Sequence, residues 1–325
     1  MKPRTLGSSG MQISAMGMGC WAIGGPWLMR GQPAGWGDVD DDESIHAIHR
    51  ALELGITFFD TAANYGCGHS EQILGHALAG RRSQVVIATK FGYQVDPKTK
   101  QVGFYGDDQD SDLVVSHLRQ DCEASLRHLG TDYIDLFQFH IGSYSPDKAA
   151  AVRDALEDLG AEGKIRFYGW STDHPEGARV FAQGKHCVAI QHDLNVIKDA
   201  PQMLAVCDEF GLASINRSPL VRGAITGKYT ADSKFQPNDV RDRDYFQREW
   251  LVPTLDKLDA IRQILTSGGR TLAQGALAWI WARSPRTIPI PGIRNVAQAT
   301  ENAQAMQFGL LSDDQMKEIE QLLGR

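Results

Sequence analysis

The sequence predicts an α/β protein of the (β/α)8 TIM-barrel class, and three observations carry the prediction. Short apolar runs alternate with helical stripes along nearly the whole chain, which reads as βαβ units and a parallel sheet. About eight such units can be counted, the number that a closed barrel needs. No Gly-x-Gly-x-x-Gly follows the first strand, as an open dinucleotide-binding sheet would carry, and Gly17, Gly19, Gly24 and Gly25 have a different spacing. At 325 residues the chain is long for one ordinary domain but usual for a barrel, so residues 1–325 read as a single domain.

The elements follow in order. Residues 42–54 form a helix with Ile45, Ile48 and Leu52 on one face; Asp40 and Glu43 cap its start, and Gly55 ends it. A short buried strand at 56–60 and a second apolar strand at 84–91 suit a parallel sheet covered on both faces. A helix over 112–129 carries Val114, Leu118, Cys122, Leu126 and Leu129 in one stripe and closes at Gly130. The strand 133–140 comes next, then a helix over 147–160 with Val152, Leu156 and Leu159, closed by Gly160. Strands at 165–171, 188–194, 212–218 and 287–291 complete the sheet; helices at 175–183, 201–210 and 295–305 lie among and after them, and a last helix spans 312–323. The stretch 221–251 breaks the rhythm: it is polar and reads as a long loop, a length that usually marks function or disorder.

Composition narrows the function. A net charge of -7 leaves no basic footprint for nucleic acid. The cysteines at 20, 67, 122, 187 and 207 form no Cys-x-x-Cys pair and read as reduced thiols of a cytoplasmic protein. The N-terminus lacks the apolar core of a signal peptide, and no run of about 18 apolar residues predicts a membrane span. Although there are 10 histidines, no His-x-His ends a strand, so a metal site, and with it a metal-dependent hydrolase, is not expected.

In barrels of this class the chemistry sits at the carboxyl ends of the strands. Asp60 ends the second strand, Tyr65 lies in the loop after it, Lys90 is near the end of the third and His140 ends the fourth. These four fit one reaction. A lysine ammonium lowers the pKa of a nearby tyrosine from its ordinary value of about 10, and an aspartate keeps that lysine charged in a buried site. A histidine hydrogen-bonds the substrate oxygen. Together they make a proton donor for an oxyanion formed by hydride addition.

These residues lie in segments that resemble the aldo-keto reductase family over nearly the whole chain. Phe-Phe-Asp-Thr-Ala-Ala-Asn-Tyr-Gly at 58–66, with Gly-His-Ser-Glu-Gln-Ile-Leu-Gly at 68–75, is similar to its Asp–Tyr segment. Ile-Ala-Thr-Lys-Phe-Gly at 87–92 is similar to its lysine strand, and Asp-Tyr-Ile-Asp-Leu-Phe-Gln-Phe-His at 132–140 to its histidine strand. The resemblance implies a bacterial-type member, related to potassium-channel β-subunit-like proteins. It implies an N-terminal β-hairpin, here within 4–14, closing the bottom of the barrel, and extended binding of a nicotinamide cofactor without a Rossmann fold. The activity implied is hydride transfer between NADP(H), ahead of NAD(H), and a small-molecule carbonyl or alcohol (aldehyde, ketone or sugar), with Tyr65 as general acid and base. A cofactor-sensing regulatory subunit with little turnover is the alternative. No nucleic acid or membrane partner is implied.

By the same resemblance Ser171 and Gln191 hold the nicotinamide carboxamide. Thr172 stands where the family usually has Asn, and Arg217 where many members have an aromatic residue under the ring; a planar guanidinium can also stack there. Ser218, Leu220, Gly223 and Lys228 surround the pyrophosphate. Gly292, Ile293 and Arg294 face the adenosine 2′-phosphate at the start of a helix, a favourable anion site, and Glu301 and Asn302 face the adenine. Gln298 occupies the place of a second Arg, which weakens the preference for NADPH. Trp21, Trp27, Tyr93 and Tyr144 are the expected rim of the substrate pocket, with Met306 and Phe308 as further candidates.

Overall fold

The computed structural model describes residues 1–106, 111–243 and 246–325. Eight parallel strands pair in chain order: β1 (Gly17–Gly19), β2 (Phe58–Asp60), β3 (Val86–Phe91), β4 (Ile134–Phe139), β5 (Ile165–Ser171), β6 (Cys187–Asp193), β7 (Ala213–Arg217) and β8 (Thr287–Pro289). The two edges meet where Gly19 bridges Gly292: the Gly19 amide donates to the Pro291 carbonyl at 2.9 Å, and the Ile293 amide to the Gly19 carbonyl at 3.3 Å. Glycine is needed at the seam, because a Cβ on Gly19 would stand 2.8 Å from the Ile290 carbonyl oxygen. The predicted barrel is the observed one.

The implied hairpin is present as well. Arg4–Thr5 pairs antiparallel with Gln12–Ile13. Its Leu6 and Ile13 pack against Phe58, Ala88, Leu136, Val188 and Ile288, side chains that fill the interior of the barrel. A larger apolar layer lies between the strands and the surrounding helices.

Those helices are α1 (Asp41–Glu53), α2 (His69–Ala77), α3 (Ser111–Leu129), α4 (Pro146–Ala161), α5 (Pro175–Ala182), α6 (Pro201–Phe210), α7 (Arg248–Leu265), α8 (Leu272–Arg283), α9 (Val296–Phe308) and α10 (Asp313–Leu322). The Asp40 side chain caps α1 by accepting from the Glu43 amide at 3.1 Å. Gly160 does not end α4: the helix continues to Ala161, and the left-handed residue that turns the chain is Gly163, φ +77°. Three helices escaped the periodicity reading. α8 is buried from Leu272 to Trp281 and therefore has no polar face to create a stripe. α2 is short, and α7 carries an internal proline, Pro253.

The stretch 221–251 is not one loop. It contains 3-10 turns at Val221–Thr226 and Val240–Asp242 and runs into the start of α7. A separate four-stranded sheet joins a hairpin (Leu28–Met29 with Gln32–Pro33) to a second one (Tyr93–Asp96 with Gln101–Phe104). All five cysteines are buried and unpaired with one another. Among the described residues no helix is long and apolar enough to cross a membrane.

Candidate active site

The barrel interior is layered, and the layering builds the site. Successive strand residues face opposite sides, so residues two apart share a face. Phe58, Ala88, Leu136, Ala189 and Ile215 fill the apolar interior. Two positions further along each strand, at its carboxyl end, stand Asp60, Lys90, Gln138, Gln191 and Arg217. One face of each strand is thus apolar below and polar at the top.

At that top, the Lys90 ammonium donates to Asp60 Oδ1 at 2.5 Å, to the Thr61 carbonyl at 2.8 Å and to the Tyr65 hydroxyl at 3.3 Å. Lys90 is 1% exposed and Asp60 2%, so the pair is held away from bulk water. Gln191 Nε2 donates to Asp60 Oδ2 at 2.9 Å, and Gln138 Nε2 to the same oxygen at 3.4 Å. The His140 ring meets the Tyr65 ring edge-on at 5.8 Å between centroids. The four predicted residues therefore converge. The loop that carries Tyr65 is pinned by Gly66, φ +62°, where a Cβ would stand 1.7 Å from the Gly24 carbonyl oxygen.

The electrostatics depart in one respect from the simple expectation for Tyr65. Burial pushes its pKa up, the Lys90 ammonium pulls it down, and burial prevails, so the value lies above that of a free tyrosine. Burial alone would lower the Lys90 pKa, but Asp60 and Tyr65 outweigh it and hold the ammonium charged. Burial, then the positive charges of Lys90 and Arg217, drive the His140 pKa well below 6.5, so its imidazole is neutral.

Tyr65, Asp60 and His140 open onto a cavity of about 530 Å³, within the usual range for a small-molecule or cofactor site. Trp21, Trp27 and Tyr93 line it as predicted. Tyr144 does not: it is 2% exposed and packs edge-on against Phe139 in the core. Met306 and Phe308 also lie elsewhere, since neither lines this cavity.

From the tetrad the cavity runs past Ser171, Gln191 and Arg217 to Ser218, Leu220 and Gly223, with Lys228 beside them. Here the backbone is strained: Ser218, Val221 and Arg222 have φ near +50° (52°, 51° and 53°), unusual for any non-glycine residue and most of all for β-branched Val221. Such strain clusters at ligand clamps. The far end is lined by Gly292, Arg294, Gln298, Glu301 and Asn302 at the start of α9. Arg294 donates to the Trp36 carbonyl at 3.0 Å and to the Asp38 carbonyl, while Gln298 Oε1 accepts from the Arg294 amide at 2.8 Å.

Two predicted cofactor residues fall outside the cavity. The Thr172 hydroxyl donates to the Gly142 carbonyl at 2.7 Å and is fully buried. Ile293 is likewise fully buried, and its amide is spent on the barrel seam. Conversely, sequence reasoning missed Gln138, Asn64, Trp36, Tyr229 and Arg241; the last four line the cavity. Gln138 had a signal, a polar residue two positions before His140 inside an apolar strand. The others sit in loops with no periodicity to read.

A parallel barrel with a buried lysine–aspartate pair beneath a tyrosine, opening onto an elongated cavity, defines an oxidoreductase-like architecture. The aldo/keto reductase family profile matches residues 15–323, and the chain belongs to that family of nicotinamide-dependent oxidoreductases. It is 33% identical over 334 aligned positions to the NADH-specific methylglyoxal reductase of Escherichia coli (strain K12), covering 100% of both chains. It is 32% identical to the aldo-keto reductase YhdN of Bacillus subtilis (strain 168), covering 99% of this chain and 94% of the relative. Among solved structures, the glycerol dehydrogenase AKR11B4 from Gluconobacter oxydans matches with a TM-score of 0.83 at 30% identity, covering 100% of this chain and 95% of that one.

Proposed function

We propose that the chain is an NADP(H)-dependent reductase of aldehydes, ketones or sugars, with Tyr65 as general acid in reduction and general base in alcohol oxidation. The observation that carries this reading is the Tyr65 hydroxyl bonded to a lysine that is itself locked to Asp60, at the floor of the cavity. A bound reduced nicotinamide supplies hydride to the carbonyl carbon. Tyr65 then donates its proton to the resulting oxyanion, and Lys90 stabilises the tyrosinate left behind. Asp60 fixes Lys90, and neutral His140 offers a hydrogen bond to the same oxygen without competing as an acid.

The donor set fits a dinucleotide. Ser171 and Gln191 stand beside the tetrad for a carboxamide, and the strained turn at 218–223 can wrap a pyrophosphate. Arg294 at the start of α9 suits a 2′-phosphate. NAD(H) is the second reading. It is favoured by Gln298, a neutral side chain that spends its carbonyl oxygen on the Arg294 amide, and by the name of the Escherichia coli relative.

The direct test is Tyr65→Phe, assayed as NADPH and NADH oxidation with methylglyoxal and a panel of aldehydes and sugars. Loss of the general acid lowers kcat by about 10²–10⁴-fold. Turnover equal to wild type would overturn the assignment of Tyr65.

A further inference from the structure

Gln138 and Gln191 lie on the two strands that flank β5, and both side chains are buried (0% and 2% exposed). The residue of β5 in register with Gln138 is Gly169, which has no side chain to keep the two amides apart. Gln191 Nε2 donates to Gln138 Oε1 at 3.3 Å, and to Asp60 Oδ2 and Oδ1 at 2.9 and 3.2 Å. Gln138 Nε2 donates in turn to Asp60 Oδ2 at 3.4 Å. Gln191 lines the cavity; Gln138 stands behind it and does not.

This closed triangle fixes which way each amide faces. Asp60 is paired with the charged Lys90, and a carboxylate only accepts hydrogen bonds. Both amides therefore turn their nitrogens toward it. Gln191 has two N–H groups: Asp60 takes one, and Gln138 Oε1 takes the other. Among the described residues no group donates to Gln191 Oε1, so the carbonyl oxygen is what this side chain has left for a ligand.

From this geometry we infer that Gln138 is a positioning residue that makes the site select a ring bearing an N–H on its carbonyl substituent. It does so by occupying the second N–H of Gln191, which then offers the ring an acceptor and no donor. The inference deepens the cofactor reading above and rests on it. Asp60 alone does not achieve the selection. With Gln138 removed, the freed N–H of Gln191 can donate to the ligand's carbonyl oxygen, which a carboxamide and an acetyl group carry alike. Ser171 also lines the cavity, but a hydroxyl both donates and accepts, and it does not sort the two. Selection of the ring and support of the proton donor thus meet at one carboxylate: Asp60 turns both amides and holds Lys90 beside Tyr65.

The test is calorimetric titration with NADP+, NAD+ and the 3-acetylpyridine analogue of each, in which a methyl group replaces the amide nitrogen. Within a pair the adenosine, phosphates, riboses and ring charge are shared, so the ratio of analogue to natural Kd reads the missing N–H. The wild-type ratio is expected to be about fivefold, the scale of one neutral hydrogen bond. Gln138→Met, similar in length but without a donor or a strong acceptor, lowers it below twofold. A loss of packing alone would weaken both ligands and leave the ratio in place. Gln138→Glu keeps the ratio, because a carboxyl group buried against Asp60 takes up a proton, donates to Asp60 and still accepts from Gln191. Gln191→Met removes the acceptor itself and sets the baseline, and adding Gln138→Met to it lowers the ratio no further. A Gln138→Met ratio equal to that of the wild type overturns the inference. So does a Gln138→Glu ratio below twofold, whether or not Gln138→Met folds. If the wild-type chain binds all four ligands with ratios of one, the cofactor reading stands and this inference alone is lost. If it binds none of the four, both are lost.

Discussion

The floor of the cavity and the loops over its mouth are built on different principles. At the floor, Asp60, Lys90, Gln138 and Gln191 project from strand ends at positions dictated by the two-residue period, and Lys90 has three hydrogen-bond partners while 1% exposed. At the mouth, one loop is fastened to another. Arg241 donates to the Asp239 carboxylate and to the Tyr229 hydroxyl, and its guanidinium lies 4.9 Å from the Trp36 ring and 4.5 Å from the Phe235 ring. The Val240 amide donates to the Gly35 carbonyl at 2.7 Å, fixing this clasp to the loop before α1. The chemistry is thus framed by the sheet, and access to it by side chains far apart in sequence. The mouth can change without disturbing the floor, which is the way barrels diversify.

The sharpest way to break that separation is at the floor. Lys90→Met keeps the shape of the side chain but leaves Asp60 buried without its counter-ion. Losing one partner of a buried pair costs about 3–5 kcal/mol of stability, and the remaining donors Gln138 and Gln191 place the expected loss at the lower end. The effect on kcat is expected to be about 10²-fold or more, within the usual range for an acid–base group. The pH profile supplies the sign. In the wild type, burial holds the Tyr65 pKa above the free value, so the proton needed for reduction is present through neutrality and is lost only on the alkaline side of an ordinary tyrosine's titration. Alcohol oxidation needs the tyrosinate and rises with pH. Without the ammonium the tyrosine pKa climbs further, so oxidation at neutral pH suffers more than reduction. His140 adds no acidic limb near neutrality, because its pKa lies well below 6.5. Rates in both directions measured against pH check this; a variant with equal losses in the two directions would show that Lys90 acts only as a structural support.

The same contrast explains what could be read from the sequence. The barrel was legible because seven of its strands are short, largely apolar runs and several helices carry clean stripes. The tetrad was legible because its strand ends could be located, and strand parity does the rest. α8 was hidden by being apolar on every side, from Leu272 to Trp281. Tyr144 was misplaced because an aromatic residue after a strand can turn outward to a rim or inward to Phe139, and local sequence does not choose. Thr172 fills the place of an expected cofactor ligand, but its hydroxyl is spent on the Gly142 carbonyl. Trp36, Tyr229 and Arg241 were invisible because their positions depend on loop–loop contacts. The family resemblance supplied the hairpin, which periodicity alone did not, and the expectation of which residues line a cofactor path.

Arg294 joins the two regions, since it sits at the start of α9 yet donates to carbonyl oxygens of the mouth loop at Trp36 and Asp38. Arg294→Ala is expected to weaken NADPH binding by about tenfold or more, the range for a charged hydrogen bond to phosphate. NADH binding is expected to change much less. Titration of both cofactors separates the two roles. Equal losses would mean that Arg294 serves to hold the 36–38 loop and does not read a 2′-phosphate.

The smallest effect is expected at the clasp itself. Arg241→Ala removes the guanidinium from Asp239, Tyr229 and the Trp36 ring, but the backbone bond between Val240 and Gly35 remains. The mouth loosens while the floor keeps every contact. Cofactor release is therefore expected to accelerate a few-fold, as for other loops that gate a site. The rate of hydride transfer in a single turnover, with cofactor saturating, should not change. Stopped-flow measurement of both rates distinguishes the outcomes. A single-turnover rate that falls as it does for Lys90→Met would show that the clasp positions the reacting groups, and that floor and mouth act as one unit.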